Sequence, residues 1–253
     1  MRLIKSIAAW LTLLAAPLAL SACGGGDANN SVSGGGSSTP VATAKPPAGK
    51  QWTDVVVKTG EGWARQGNPD APIKLIEYGS RSCPVCGAFA ATGVEPLRQK
   101  YINTGQVSYE FRDFLVHPQD LGVALLGRCV PTEAFFPILD QMYANQQAFN
   151  SKLETLSPEI QAQLNGMNRN EVALTLVEIL GYPEFMRQRG VPDAKVKACL
   201  ADNAAIAVLS KQLEEGVAKG VDGTPTFFVN DVKVSGPRWA EDLEPALRAA
   251  GAH

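Results

Sequence analysis

The sequence predicts an α/β fold whose sheet-forming parts are separated by an all-helical insertion. Three observations support this prediction. A strand-like run at 73–78 leads directly into a Cys-Pro-Val-Cys segment and a helix-like run. A long section at 118–220 carries apolar residues at helical spacing. A strand pair at 226–235 then follows a Thr-Pro dipeptide and returns the chain to the sheet.

The first 50 residues lack the composition of a folded domain. Residues 1–22 place two basic residues before an apolar run, as a secretory signal does, and this run is too short for a stable membrane span. Residues 23–50 are rich in Gly, Ser, Asn and Pro, which predicts a disordered tether. The Leu-Ser-Ala sequence before Cys23 resembles a bacterial lipobox, which implies cleavage before Cys23 and its lipidation. A plain secreted protein is the alternative.

Charge and cysteine content restrict the function. The chain has 23 Lys and Arg against 25 Asp and Glu, and no basic stripe is visible, so nucleic-acid binding is not predicted. Five cysteines in an exported chain imply an oxidising compartment. Lipidation of Cys23 would leave four, an even number that allows two pairs.

From residue 51 the composition is that of a globular domain. Residues 51–117 form the first part of the predicted α/β domain, residues 118–220 the helical insertion and residues 221–253 the second part. The predicted strands are 53–58, 73–78, 106–114, 226–229 and 232–235. The helix after the dithiol reaches about residue 101, and we expect Gly93 and Pro96 to bend it.

The Cys83-Pro84-Val85-Cys86 segment is the candidate active site. Pro84 suits the first helical position, so Cys83 falls at the N-cap, where free backbone N–H groups and the helix dipole stabilise a thiolate. Cys86 lies one turn further on and is placed to resolve a mixed disulfide formed on Cys83. The alternative is half of a zinc site. A zinc site needs two further ligands, and no second close cysteine pair exists, so we predict redox chemistry and no metal.

Three segments of the sequence resemble one family. The segments Glu77–Cys86, Phe111–Phe114 and Gly223–Asn230 read EYGSRSCPVC, FRDF and GTPTFFVN, and they closely resemble the DsbA-like branch of the thioredoxin superfamily. The resemblance covers nearly all of the chain from Gly67 onward. It implies a thioredoxin fold with an inserted all-helical domain, and the activity of an exported thiol–disulfide oxidoreductase without a cofactor.

The resemblance also assigns roles to residues outside the dithiol. Thr224-Pro225 matches the family's cis-proline loop, which binds substrate by strand addition; an ordinary trans-proline at an edge strand is the alternative. Glu77 matches a buried acid that exchanges a proton with Cys86, whereas the residues alone predict a solvated acid. Val85 departs from the best-known member, which has His there, and Thr224 is also found in isomerase branches.

The helical insertion holds the remaining cysteines. Cys129 and Cys199 lie 70 residues apart, and the exported context favours a structural disulfide between them over two buried free thiols. His117 has no second metal ligand nearby, so we interpret it as a loop residue rather than a catalyst.

These observations predict a periplasmic protein, anchored to a bacterial membrane by its N-terminal lipid, that introduces disulfides into exported proteins. Its partners would be reduced or unfolded exported proteins and a DsbB-like membrane protein that reoxidises the dithiol. An isomerase or reductase of the same fold is one alternative, and a redox-sensing or metal-binding lipoprotein is another. Isomerases of this group usually carry a dimerisation module. Only residues 51–68 separate the tether from the resembling region, which favours a monomer.

Overall fold

Six β-strands form one mixed sheet in the computed structural model, which describes residues 39–253. The strands are β1 (Val56–Lys58), β2 (Ala64–Gly67), β3 (Ile73–Gly79), β4 (Val107–Asp113), β5 (Thr226–Val229) and β6 (Val232–Lys233). Their order across the sheet is β1-β2-β4-β3-β5-β6. β3 and β4 run parallel, and the other neighbouring strands are antiparallel. This mixed α/β architecture with a helical insertion is the predicted fold class.

Strand β3 lies inside the sheet and directs its side chains to two buried faces. Leu75 packs in the core that contains Phe89 of the helix following the dithiol. Ile76 and Tyr78 pack on the opposite face, in a second apolar cluster. Because side chains alternate along a strand, Glu77 belongs to the face of Leu75. The face that the dithiol helix covers therefore also carries this acid.

Eleven α-helices lie within residues 39–253. They are α1 (Pro84–Thr92), α2 (Val94–Leu97), α3 (Asp120–Gly127), α4 (Phe135–Ala144), α5 (Gln146–Glu154), α6 (Pro158–Asn165), α7 (Arg169–Leu180), α8 (Tyr182–Arg187), α9 (Asp193–Leu200), α10 (Asn203–Ala218) and α11 (Glu244–Ala249). In this part of the chain no helix is both long and apolar enough to cross a membrane. The predicted helix to residue 101 is interrupted, since α1 ends at Thr92 with Gly93 as its C-cap and a π-helical turn follows α2 at Arg98–Ile102.

Residues 118–220 contain α3 to α10 and no strand. Most of these helices surround a separate apolar core. Helix α4 joins this core to that of the sheet, because Ile138 and Met142 pack among the helices whereas Phe136 and Leu139 pack against the sheet. Helix α4 therefore has two buried faces.

The structure corrects several predicted strand boundaries. The strand predicted at 53–58 is only Val56–Lys58, because Trp52–Asp54 forms a 3-10 turn. The sequence analysis missed β2, which pairs with both β1 and β4. The hairpin of β5 and β6 turns at Asn230 and Asp231, as predicted, and both have positive φ angles (48° and 65°), as a tight hairpin requires.

The predicted tether is too long at its C-terminal end. The backbone N–H of Val41 donates to Gly251 O at 3.0 Å, and that of Ala44 donates to Thr104 O at 2.9 Å. The indole N–H of Trp52 donates to Ala44 O at 2.8 Å. The segment attached to the domain therefore starts before the predicted boundary at residue 50. The predicted signal, Cys23 and the rest of the tether lie outside the described residues.

Candidate active site

The dithiol lies where strand β3 passes into helix α1. β3 ends at Gly79, three loop residues follow, and Cys83 occupies the N-cap with Pro84 in the first helical turn. The Cys83 carbonyl accepts the first helical hydrogen bond, from Gly87 N at 3.0 Å. Both cysteines are free thiols in the structure. This is the local geometry that the sequence analysis expected from the position of the proline.

The two thiols differ in exposure and in acidity. Cys83 is 6% exposed and Cys86 is fully buried. The pKa of Cys83 is lowered to about 5, chiefly by a hydrogen bond from the Cys86 thiol and then by the Thr224 side chain and the N–H groups of Cys86 and Val85. Burial raises the pKa of Cys86 well above its usual range, and the neighbouring Cys83 and Glu77 raise it further. One member of the pair is therefore suited to be a thiolate and the other a thiol.

Glu77 is a buried acid on the same face of the sheet as α1. It is 1% exposed, and burial raises its pKa to about 8, although a hydrogen bond from Tyr109 opposes the shift. The Tyr109 hydroxyl donates to Oε2 at 2.5 Å, and Oε1 has no partner among the described residues. At neutral pH the carboxyl is therefore largely protonated, and one of its oxygens is left without a hydrogen-bond partner among the described residues. The burial that the resemblance implied for Glu77 is present.

The Thr224-Pro225 peptide bond is cis, and its loop lies against the dithiol. The Cys83 thiol is 3.4 Å from the Thr224 carbonyl oxygen. Val85, two residues after Cys83, is 49% exposed. The structure thus brings the Thr224-Pro225 loop, which lies about 140 residues further along the chain, against the segment that carries Glu77, Cys83 and Cys86.

Helix α5 holds the loop before the dithiol through residues that the sequence analysis did not identify. The Gln146 amide donates to the carbonyl oxygens of Arg81 at 3.0 Å and Cys83 at 2.9 Å. The Asn150 amide donates to Ser82 O at 3.0 Å. The two side chains are four residues apart and so share one helix face. Their distance from the loop in sequence left no signal of this contact.

Arg81 is a buried cation beneath the same loop. Its Nε donates to Asp113 Oδ1 at 2.7 Å, and its guanidinium carbon is 4.8 Å from the centre of the Phe135 ring. Gly127 makes room for it, since an added Cβ there would lie 2.4 Å from the guanidinium. The ion pair connects the loop to strand β4, and the packing of the guanidinium on Gly127 brings it against helix α3. The sequence analysis placed Asp113 within the predicted strand 106–114 but did not pair it with Arg81.

Cys129 and Cys199 are joined by a disulfide, as the sequence analysis favoured. Cys129 follows α3 and Cys199 lies in α9, so the bond closes a 70-residue section of the helical insertion. This disulfide lies in the separate core of the helical insertion, whereas the dithiol lies at the start of α1.

A family model described as thioredoxin matches residues 59–249. The chain belongs to the thioredoxin family. This match covers β2 to α11, and therefore includes every site residue named above. It also agrees with the DsbA-like resemblance read from the three sequence segments.

Individual members of the thioredoxin family support this placement. A Rickettsia bellii protein, provisionally named protein-disulfide oxidoreductase, is 30% identical over 66% of this chain and 56% of its own length. The chain spans between about half and two thirds of the length of such curated relatives. A protein-disulfide isomerase of Novosphingobium aromaticivorans has 27% identity and a TM-score of 0.67 over 73% of this chain and 95% of its own. Wolbachia pipientis α-DsbA1 shares the fold at 23% identity, with a TM-score of 0.53 over 69% of this chain and 83% of its own length.

Proposed function

We propose that the chain is a protein thiol–disulfide oxidoreductase that introduces disulfide bonds into exported proteins through Cys83 and Cys86. The observation that carries this proposal is the contrast between the thiols. Cys83, at a helix N-terminus, has a pKa of about 5, and the buried Cys86 has a raised pKa. A dithiol whose reduced form contains a stabilised thiolate releases its disulfide readily to other thiols, so it acts as an oxidant.

The reaction starts from the oxidised pair. A substrate thiolate attacks Cys83 Sγ, which forms a mixed disulfide and displaces Cys86 as the leaving sulfur. A second substrate thiolate attacks the substrate's own sulfur in this bond and releases the Cys83 thiolate. The substrate loses two electrons and gains a disulfide, and the dithiol is reduced.

Glu77 would manage the proton of Cys86. With its pKa raised to about 8, the carboxyl carries a proton near neutral pH and donates it to Cys86 as that sulfur leaves. In the reverse step the carboxylate accepts the proton when Cys86 attacks. The unpartnered Oε1 is the atom suited to this exchange.

Substrate would bind along the Thr224-Pro225 loop. The Thr224 carbonyl oxygen lies 3.4 Å from the Cys83 thiol, and an extended peptide that pairs with the backbone of this loop would carry its cysteine to Cys83. The exposed Val85 side chain, between the two cysteines, would add an apolar contact.

A second candidate is a disulfide isomerase or reductase acting through the same residues. Two observations favour it: the Novosphingobium relative is named a protein-disulfide isomerase, and Thr224 is the residue before the proline. The low pKa of Cys83 supports the oxidase, because strong thiolate stabilisation weakens a dithiol as a reductant.

The cellular setting is also part of the proposal. The leader and Cys23 support export to the periplasm with a lipid anchor, and the Cys129–Cys199 disulfide suits an oxidising compartment. A membrane protein of the DsbB type would then reoxidise the dithiol, with the enzyme acting as a monomer on reduced or unfolded exported proteins.

Trapping of substrates tests the assignment of the two thiols. A Cys86→Ala protein retains the attacking thiol but cannot resolve a mixed disulfide, so it should accumulate covalent complexes with exported proteins. Cys83→Ala is the matched control and should accumulate few. Equal trapping by both variants would overturn the assignment.

The direction of the reaction needs a second assay. Wild-type protein that reduces insulin readily but cannot oxidise a reduced model protein would favour the isomerase or reductase.

A further inference from the structure

A polar cluster outside the mechanism above connects the loop that follows strand β4 to the loop that precedes Cys83. Its centre is Asp120, which is 3% exposed and begins helix α3. Asp120 Oδ1 accepts hydrogen bonds from the hydroxyl groups of Ser80 (2.8 Å) and Ser82. Oδ2 accepts the backbone N–H groups of Val116 (2.8 Å) and His117 (2.7 Å). One carboxylate thus fixes two loops that are far apart in sequence.

The cluster also determines which nitrogen of His117 can titrate. Nδ1 lies 3.3 Å from Asp120 Oδ2 and 3.2 Å from Ser80 Oγ. The Ser80 hydroxyl already donates its proton to Asp120, so both atoms near Nδ1 are acceptors and Nδ1 carries a proton. No described group bonds to Nε2, and the side chain is 36% exposed. Protonation of His117 therefore occurs at Nε2 and adds a full positive charge.

This histidine is directly connected to the candidate active site. Ser80, which contacts Nδ1, also accepts the backbone N–H of Cys83 on its carbonyl oxygen at 3.2 Å. The pKa of His117 is raised, first by its hydrogen bond to Asp120, and the negative charge of Cys83 raises it further. The same interaction must act in the other direction, because the coupling between two charged groups is reciprocal.

We propose that His117, held by Asp120 and Ser80, is a positioning residue whose imidazolium stabilises the Cys83 thiolate and makes the oxidising strength of the dithiol depend on pH. The inference rests on the proposed dithiol function and adds its regulation. Val85 can supply no charge between the cysteines, and His117 supplies one from a different loop. The stabilisation is present below the pKa of His117 and disappears as the pH rises through it. Its lower limit is the pKa of Cys83, about 5, below which the thiolate is progressively protonated.

Few other charges face His117. Asp120 approaches from α3 and Cys83 from the start of α1. Arg169, at the start of α7, lines the groove of about 580 Å³ beside the histidine. Helix α10 contributes Ser210 and Leu213 to this groove, neither of which titrates in this range. The pH-dependent part of the field at Cys83 from this side is therefore that of His117.

Two substitutions separate the charge of His117 from its structural contacts. The amide of His117→Asn replaces the Nδ1 donor toward Asp120 and Ser80 but cannot be protonated. His117→Lys carries a positive charge up to high pH. The chain has only one other histidine, His253, which binds Gln106, so His253→Asn is the matched control.

The first measurement is the pKa of Cys83 from thiolate absorbance in the full-length reduced protein. We expect His117→Asn to raise it, with a roughly threefold to tenfold lower thiolate-to-thiol ratio at a given pH, since the histidine is partly exposed. His117→Lys should keep it low, and His253→Asn should leave it unchanged. The difference in reduction potential between wild type and His117→Asn should be present near about pH 6 and absent near about pH 9. A Cys83 pKa that is identical in wild type and His117→Asn would overturn the inference.

The second measurement needs no substitution in the cluster. By reciprocity, the His117 pKa measured by NMR should be higher in the reduced wild-type protein, which has the thiolate, than in the oxidised protein. An equal pKa in both redox states would refute the coupling. A wild type that cannot oxidise a reduced model protein but still shows this shift would refute the donor function and support the coupling.

Discussion

Two buried glutamates on neighbouring strands differ in the partners of their carboxyl groups. Glu110 on β4 is 1% exposed, and its carboxylate lies 2.6 Å from the guanidinium groups of Arg65 and Arg112. Glu77 on β3 is equally buried, but within residues 39–253 its carboxyl has only the Tyr109 hydroxyl as a partner. A buried carboxylate needs ionic partners; Glu110 has two of them, whereas Glu77 has none and holds a proton because burial raises its pKa to about 8.

This difference predicts how Glu77→Gln changes stability with pH. The pKa of Glu77 is raised to about 8, so between about pH 4 and 8 the folded protein keeps a proton that the unfolded chain has lost. The stability of the wild type should therefore fall as the pH rises through this window. Glu77→Gln does not titrate and should gain roughly 2–4 kcal/mol relative to wild type between these limits. Urea unfolding of the reduced proteins at both pH values measures the change.

Glu110→Gln is the control for this experiment. It removes the carboxylate that pairs with Arg65 and Arg112 and leaves both guanidinium groups without this partner, so the variant should be less stable at neutral pH.

Glu77→Gln should also slow the attack of Cys86 on a mixed disulfide, by roughly 100-fold, because the proton acceptor is lost. A constant stability difference from about pH 4 to 8 would contradict the proton-holding role of Glu77.

At the scale of elements, the disulfide of the helical insertion has its own prediction. Cys129→Ala with Cys199→Ala should lower the free energy of unfolding by about 2–4 kcal/mol, because the bond limits the unfolded chain across a long loop. Urea unfolding measures the loss. The pKa of Cys83 should remain near about 5, since the bond lies in the separate helical core. Alkylation of either cysteine in the native, oxidised wild type would show that the bond is absent.

The elements also show what the sequence could predict. The dithiol, its helix and β3 were placed correctly, because proline position and buried strand composition are local signals. Strand β2 was missed because its sequence, Ala-Arg-Gln-Gly, has no strand-like alternation, and its pairing with β1 and β4 is a tertiary effect. The contact of Gln146 with the Cys83 carbonyl was missed for the same reason, since it joins residues 63 apart.

The candidate active site contains residues from both the sheet domain and the helical insertion. The sheet supplies Cys83, Glu77 and the Thr224-Pro225 loop, and the insertion supplies the α5 amides and Asp120. The burial of Glu77 followed only from the family resemblance, because an isolated acid in a strand carries no mark of burial. The partnership of Asp120 with Ser80 had no sequence signal at all. The sequence therefore allowed the reactive residues to be predicted, but not the residues from the insertion that hold the loop before Cys83.

The N-terminal anchor is a prediction for the whole molecule that depends on sequence alone. If Cys23 is lipidated, labelled fatty acid fed to expressing cells should appear on the wild-type protein, which should remain with membranes. Cys23→Ala should take up no label and leave the membrane fraction. Label and membrane retention that persist in Cys23→Ala would rule out this anchor.

The reduction potential of the wild-type dithiol, measured by equilibration with glutathione, tests the proposed oxidase most directly. Thiolate stabilisation at Cys83 favours the reduced form, and each tenfold shift corresponds to about 30 mV. The absence of a histidine between the cysteines limits the effect. We therefore expect a potential above that of thioredoxin, about −270 mV, and below that of DsbA, about −120 mV. A value at or below about −270 mV would make the dithiol a reductant and contradict the proposed direction of the reaction.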